Sequence, residues 1–314
     1  MSPLEIFYFL VSSAIFYAAP LIIVAIGGVF SERSGVVNIG LEGLMVIGAF
    51  TGIVFNLFFV DALGEFTPWV SLIIAMITGT LFSLLLAIAA VSFRADQVVT
   101  GVAINLLAIA VAIFLVKLIF QKGQTDIISV NFSQIRISFL RDIPIIGDMY
   151  WTSLLAIAIA FISWAVIYYT PFGLRLRAVG EHPAAADTMG VNVTKMRYVA
   201  VMISGALGGL GGAIYAQTIS NDFGHATITG QGFMALAAMI FGKWHPLGAM
   251  GAALFFGFAQ SLSIVGPSLP FFSEIPTVFL YILPYVLTIL ALAGFIGRAS
   301  APKASGTPYI KGNR

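Results

Sequence analysis

The sequence holds no cysteine in 314 residues, which excludes disulfides and thiolate metal sites and says nothing about compartment. Charge is nearly as scarce. Asp, Glu, Lys and Arg together make up 9% of the chain, against roughly a quarter in soluble domains. Segments of about ten alternating residues, the mark of an outer-membrane barrel, are missing, so helices must satisfy the backbone in lipid. No GxxxxGK[ST] phosphate loop occurs, and no HExxH pair, DDxxD-like carboxylate cluster or GxSxG elbow. ATP use through that loop is thereby excluded, and no motif points to a zinc hydrolase, a metal-diphosphate site or a serine elbow. The three histidines, His182, His225 and His245, fall in loops and read as surface residues.

What is present is apolar. The chain is 60% hydrophobic with a mean hydropathy of +1.02, and runs of about 20 apolar residues recur along almost its whole length. The formal net charge of +2 is uninformative beside its distribution. The reading is an integral membrane protein, all-α, a polytopic transmembrane helical bundle forming one domain over residues 1–314. The N-terminal run has no Lys or Arg before it and is too long for a signal-peptide core, so it is read as a retained span.

Spans are expected near residues 6–30, 38–60, 67–93, 97–120, 151–170, 197–219, 230–242 with 247–264, and 276–296. The piece at 230–242 is too short to cross alone, and reads as half of a span broken at GKWHP or as a re-entrant helix. Pro20, Pro246, Pro276 and Pro284, with abundant glycine, point to broken or kinked helices. The total comes to about eight to ten crossings, some broken or re-entrant, with the side of the N-terminus open.

Orientation follows Lys and Arg in the short loops. The segment 171–197 carries Arg175, Arg177, Lys195 and Arg197, and the tail 298–314 carries Arg298, Lys303, Lys311 and Arg314 without an acid. Both are expected to be cytoplasmic. In the loop 121–150, Lys122, Arg136 and Arg141 are balanced by Asp126, Asp142 and Asp148, as suits an extracytoplasmic loop.

One acid breaks the apolar pattern. Glu42 lies near the start of the run 38–60, and an ionised acid at mid-membrane costs about 2.5–3.5 kcal/mol even on the gentler scale. Two compatible readings stay open. Asn38 caps a helix whose first turn holds Glu42, where the dipole favours an anion; or Asn38 and Glu42, on one helix face, line a polar path. Gln97, Gly101 and Asn105 recur at fourfold spacing and align two amides along one stripe, either joining helices or facing a cavity for a neutral polar solute. Arg94 and Asp96 read as an interfacial anchor or ion pair. Gly208-x-x-x-Gly212 reads as close helix packing, as does GAMGAALFFG at 248–257. A faint echo links Glu42-Gly43-Leu44-Met45 with Gln231-Gly232-Phe233-Met234, each following a long span and a polar break.

The longest polar interruption on the basic side is GLRLRAVGEHPAAADTMGVNVTKMR, residues 173–197. Its centre, Glu181 to Met189, is expected to form a short helix with Pro183 in the first turn. Small residues Ala184, Ala185 and Ala186 suit a helix pressed into a groove on another protein, with Gly180 and Gly190 as exits.

This connector resembles the coupling loop of permease subunits of ATP-binding cassette importers. The ordered set ERSGVVNIGLEGLMVIGAF, RADQVVTGVAIN, LRAVGEHPAAADTMGVNV and GQGFMALAAMIFGKWHPLGA resembles the permease family for branched-chain amino acids, simple sugars and nucleosides. NIGLEGLM and RADQVVTG look most like the nucleoside, guanosine-type members. The resemblance implies a multi-pass protein of the bacterial plasma (inner) membrane with its C-terminus cytoplasmic. It implies a second, non-identical permease subunit, two ATP-binding subunits and an extracytoplasmic substrate-binding (lipo)protein. ATP and Mg would be used by the partner ATPase, and no cofactor or nucleic acid by this chain. It assigns ATPase coupling to Gly180, Glu181, Pro183, Ala184, Ala185, Ala186, Asp187 and Gly190. A nucleoside is neutral, with a polar sugar and a flat base, so its path needs few charges, some amide or carboxylate partners and aromatic faces. Asn38, Glu42, Gln97, Asn105 and Gln231 fit. The alternatives are simple sugars or branched-chain amino acids within the family, and, from another class, a secondary transporter or channel. Ion-coupled carriers keep several ionisable groups deep in their spans, whereas here nearly all charges except Glu42 lie in loops.

Overall fold

The computed structural model describes residues 3–134, 149–268 and 301–311, together with Val278, Phe279, Ile282, Val286 and Ile289. The span expected at 276–296 lies almost wholly outside the described residues, as does the 135–148 part of the loop 121–150. The described chain is helical, with isolated β-bridges but no strand.

The long helices are α1 (Pro3–Arg33), α2 (Leu41–Leu63), α3 (Thr67–Ala87), α4 (Gln97–Phe120), α5 (Trp151–Tyr169), α8 (Val193–Tyr215) and α10 (Pro246–Val265). Each coincides with an expected span to within a few residues. Among the described residues six helical stretches are long and apolar enough to cross a membrane, and one of them, Leu41–Ser92, folds back on itself. That turn is made at Gly64, whose φ of 52° suits a residue without a side chain. α3 and α8 each loosen into a π-helical turn at their C-terminal ends, Ile88–Ser92 and Ala216–Ser220. Helix α1 runs unbroken through Pro20. The breaks lie elsewhere, in the buried segment 34–40 and around α9 (Gln231–Phe241).

Helix α8 is the centre of the bundle. Small residues let its backbone meet three neighbours: Gly212 lies against the Met45 backbone of α2, Gly209 against Ala75 of α3 and Gly211 against Val24 and Pro20 of α1. Lipid supplies no hydrophobic drive between helices, so close van der Waals approach of this kind carries their association.

The bundle has two ends. At one, α6 (Pro171–Glu181) and α7 (Pro183–Thr188) connect α5 to α8. Helix α8 then runs about 34 Å to the opposite end, where Thr125 N–H donates to the Phe223 carbonyl at 2.9 Å and Ile128 N–H to the Asn221 carbonyl at 3.0 Å. Loops 121–134 and 221–230 thus interlock far from the connector. α9, with 11 residues, spans only about half the hydrocarbon thickness. The irregular loop 221–230 carries the chain down from the far end, and α9 completes the passage to the connector end. The tail returns there too, since Ala304 N–H donates to the Gly180 carbonyl at 2.9 Å. α1 runs antiparallel to α10, with Ser261 Oγ–H on the Leu10 carbonyl at one end and Arg33 on the Trp244 carbonyl at the other. The N-terminus therefore lies at the far end, opposite the tail.

Candidate functional sites: a polar junction at two helix starts and an exposed connector

α1 ends at Arg33, and the chain re-enters the bundle as irregular backbone before α2 begins. Irregular backbone at depth must find partners inside the protein. The stripe on α4 supplies them. Gln97 Oε1 accepts from Val37 N–H at 2.6 Å, Gly101 admits Ile39 and Gly40 at contact distance, and Asn105 donates to the Ile39 carbonyl at 3.0 Å while accepting from Gly43 N–H at 2.7 Å. Eight residues of helix separate Gln97 from Asn105, so the segment climbs about 12 Å along α4.

Asn38 does not cap α2. The residue before that helix is Gly40, with no side-chain cap, and Asn38 instead points across the bundle and donates to Ser204 Oγ on α8 at 2.9 Å. Asn38 Oδ1 and Gln97 Nε2 stay buried without a hydrogen-bond partner among the described residues. Groups of this kind are rare, and an ordered water is a common partner for them.

Glu42, 4% exposed, occupies the first turn of α2 and reaches the start of α9. Its Oε1 accepts from Gly230 N–H at 2.5 Å and its Oε2 from Gly232 N–H at 2.6 Å. The first amides of a helix have no intrahelical acceptor, and a carboxylate there meets the positive end of the dipole. Glu42 thus serves two helix starts at once. Gly232 is obligatory, because a β-carbon would strike the Glu42 backbone. Gln231 sits between the bonded glycines, with Oε1 accepting from Thr229 N–H at 2.5 Å and Nε2 donating to Tyr215 Oη at 2.9 Å. All five path candidates therefore gather around residues 37–43 and the start of α9, and the two echoing tetrapeptides are the helix starts that meet. Thr229 and Phe233 flank the junction with exposed side chains.

The other end of α9 is tied to the same stretch of chain. Trp244 Nε1–H donates to Glu32 Oε2 at 2.5 Å, and Arg33 Nε–H donates to the Trp244 carbonyl at 2.8 Å. Lys243 and Trp244 make this turn with φ of 56° and 53°, uncommon for side-chain-bearing residues and worth about 1–3 kcal/mol of strain each. His245 caps α10, its Nδ1 accepting from Gly248 N–H at 3.4 Å, and burial and then the Arg33 charge push its imidazole below the ordinary value. The sequence pointed to GKWHP as a break and gave no sign of its partners, Glu32 and Arg33.

In the connector, Thr170 caps α6 and Pro171 opens it; Pro183 likewise opens α7. The expected short helix is there, over Pro183–Thr188. Gly180 lies against the Arg33 carbonyl, where a side chain would clash. Ala186 turns inward onto Val179 and Val193, whereas Ala184 and Ala185 face out, beside Met189 at 84% exposure. Gly190 leaves α7 at φ 83°. Glu181 and Asp187 are half-buried. Of the two readings for Arg94 and Asp96, an interfacial anchor or an ion pair, the ion pair does not form: Asp96 caps α4 through Val98 and Val99 N–H at 2.8 and 2.9 Å, and Arg94 is exposed. Among the described residues no cluster of three or more His, Asp or Glu is placed to hold a metal ion.

Long apolar helices, a polar junction at two helix starts and a short exposed helix in one connector make up a polytopic helical membrane fold. The chain belongs to the family described as the branched-chain amino acid transport system / permease component, which it matches over residues 10–292. It is 64% identical to the guanosine ABC transporter permease protein NupQ of Bacillus subtilis, over all of both chains. It is 50% identical to the nucleoside ABC transporter permease protein NupC of Lactococcus lactis, over 96% of each chain. The guanosine ABC transporter permease protein NupP of Bacillus subtilis is 26% identical, over 87% of this chain and 77% of that protein.

Proposed function

We propose that this chain is one of two non-identical permease subunits of an ATP-driven nucleoside importer, lodged in the bacterial plasma membrane. The observation that carries this is full-length identity of 64% with a guanosine permease, together with a junction whose chemistry suits a neutral polar solute. A second guanosine permease protein in the same organism is only 26% identical to this chain, which supports pairing with an unlike partner.

The path runs beside the starts of α2 and α9. Gln231 and the spare hydrogen-bonding atoms of Asn38 and Gln97 offer contacts for sugar and base edges, and the exposed ring of Phe233 a stacking face. Glu42 holds α9 in register, and Asn105 holds the re-entrant segment. The connector and tail face the cytoplasm; the interlocked loops 121–134 and 221–230 face outward, toward a substrate-binding protein. Met189, a large apolar side chain bared at the polar end of the bundle, forms with Ala184 and Ala185 the face that α7 presents to an ATP-binding subunit. Glu181, Pro183, Asp187 and the two glycines, Gly180 and Gly190, shape and orient that face. ATP and Mg act in the partner.

Uptake of labelled guanosine by cells expressing the full assembly tests this reading. Uptake should survive collapse of the proton gradient, stop on ATP depletion and yield to competing nucleosides. Competition by ribose or leucine in place of nucleosides would overturn the substrate, and dependence on the proton gradient would overturn the class.

A further inference from the structure

The C-terminal tail is built into the connector. Ala304 N–H donates to the Gly180 carbonyl at 2.9 Å and Gly306 N–H to the Gly35 carbonyl at 3.2 Å. Arg197, 1% exposed, joins the same layers: its Nη1–H donates to the Thr307 carbonyl at 3.0 Å and its Nε–H to the Ser34 carbonyl at 3.3 Å. Tyr309 packs on a small apolar cluster of Val179, Ala186 and Val193, one residue from each of α6, α7 and α8. Asp187, at the end of α7, shares a groove wall with it. Removing the tail would therefore uncover the cluster that sets the position of α7.

Beside Tyr309 a groove of about 860 Å³ opens between α7, the turn at 91–94 and the tail, lined by Arg94, Asp187, Gly190, Lys195, Tyr309 and Lys311. Three of these are cations, all exposed, and none has a salt-bridge partner among the described residues. The groove is continuous with the outward face of α7. We propose that the tail and α7 form one composite seat for the ATP-binding subunit, in which α7 fills an apolar socket and the groove receives acidic side chains from the partner. This rests on the coupling role given to α7 above and adds a second, charged half to it. Opposite charges across such a seat fix register and speed encounter, while a short helix of small residues provides little beyond shape.

The test is binding of the ATP-binding subunit to the full permease pair in lipid nanodiscs, with Tyr309→Ala, Lys311→Glu and, on α7, Ala185→Arg. Tyr309→Ala and Lys311→Glu should each weaken binding about tenfold or more, as truncation at an interface anchor does. Raised salt should weaken the parent complex more than the Lys311→Glu complex. Parent-like binding by both tail variants, with Ala185→Arg defective, would overturn the composite seat and leave α7 coupling standing. Parent-like binding by all three would overturn the coupling reading itself. A tail effect seen only with anionic lipid, and gone in zwitterionic nanodiscs, would give the groove to a lipid headgroup and overturn the proposal. Lys311 is exposed, so its variant reads the seat without disturbing the apolar cluster.

Discussion

Glu42 Oε2 accepts a hydrogen bond from Gly232 N–H at 2.6 Å, across 190 residues of sequence. This contact explains an acid inside an apolar run. The carboxylate answers the orphan amides of a half-helix that cannot cross the membrane alone, and it does so from the first turn of a second helix.

Glu42→Gln is expected to impair transport through this bond. A carboxamide turns one N–H₂ group toward a backbone N–H, losing an acceptor where a charge-assisted bond contributes about 1.5–3 kcal/mol. Guanosine uptake at limiting substrate should fall while the protein still reaches the membrane. Uptake equal to the parent would remove Glu42 from any part in holding α9.

The turn at the other end of α9 invites a comparison of variants. Trp244→Phe keeps an aromatic ring but deletes the indole N–H, leaving the buried Glu32 side chain without that donor at a cost of about 1–3 kcal/mol. Glu32→Gln retains an acceptor for the indole and should be the milder change. Thermal unfolding of the detergent-solubilised protein should rank the parent above Glu32→Gln, with Trp244→Phe lowest. The reverse order of the two variants would mean that packing, rather than the hydrogen bond, holds this turn.

Two glycines offer opposite outcomes for one substitution. A β-carbon at Gly48 of α2 would land in the Gly209 backbone of α8, whereas at Gly251 of α10 it would meet nothing within 4 Å among the described residues. Gly48→Ala should cost about 1–3 kcal/mol by overpacking. Gly251→Ala should be neutral or gain up to about 1 kcal/mol of helix propensity. Yield of folded protein in detergent separates the two, and equal yields would contradict the close approach of α2 and α8.

The sequence made the long helices legible because a lipid-crossing helix needs only length and apolarity, and both are read directly. It also exposed the break at 230–242, the α4 amides in one stripe, and an Ala-rich helix in the connector. Partners were less accessible. These helices are apolar on every side, so hydrophobic periodicity cannot say which face turns inward, and small residues carry that information instead. Asn38 looked like a cap because it precedes a helix by the right distance; Ser204, 166 residues away, claimed it. The link from Glu32 to Trp244 and the seat of Tyr309 on α7 are likewise contacts between segments with no shared local signal.

His245 gives a prediction that depends on pH. Its Nδ1 accepts from Gly248 N–H, which requires the neutral ring, and burial followed by the nearby Arg33 charge lowers its pKa from the ordinary 6.5. A base whose folded pKa is depressed adds stability that is complete above its unfolded pKa and is lost as pH falls through the folded value. The cap should therefore hold at pH 7.5 and weaken below about 6.5, near the unperturbed histidine value. His245→Asn keeps an N-cap acceptor without a titrating proton. The loss of thermal stability between pH 7.5 and 5.5 should be smaller in His245→Asn than in the parent. Identical losses would show that protonation of His245 plays no part in opening the α9–α10 turn.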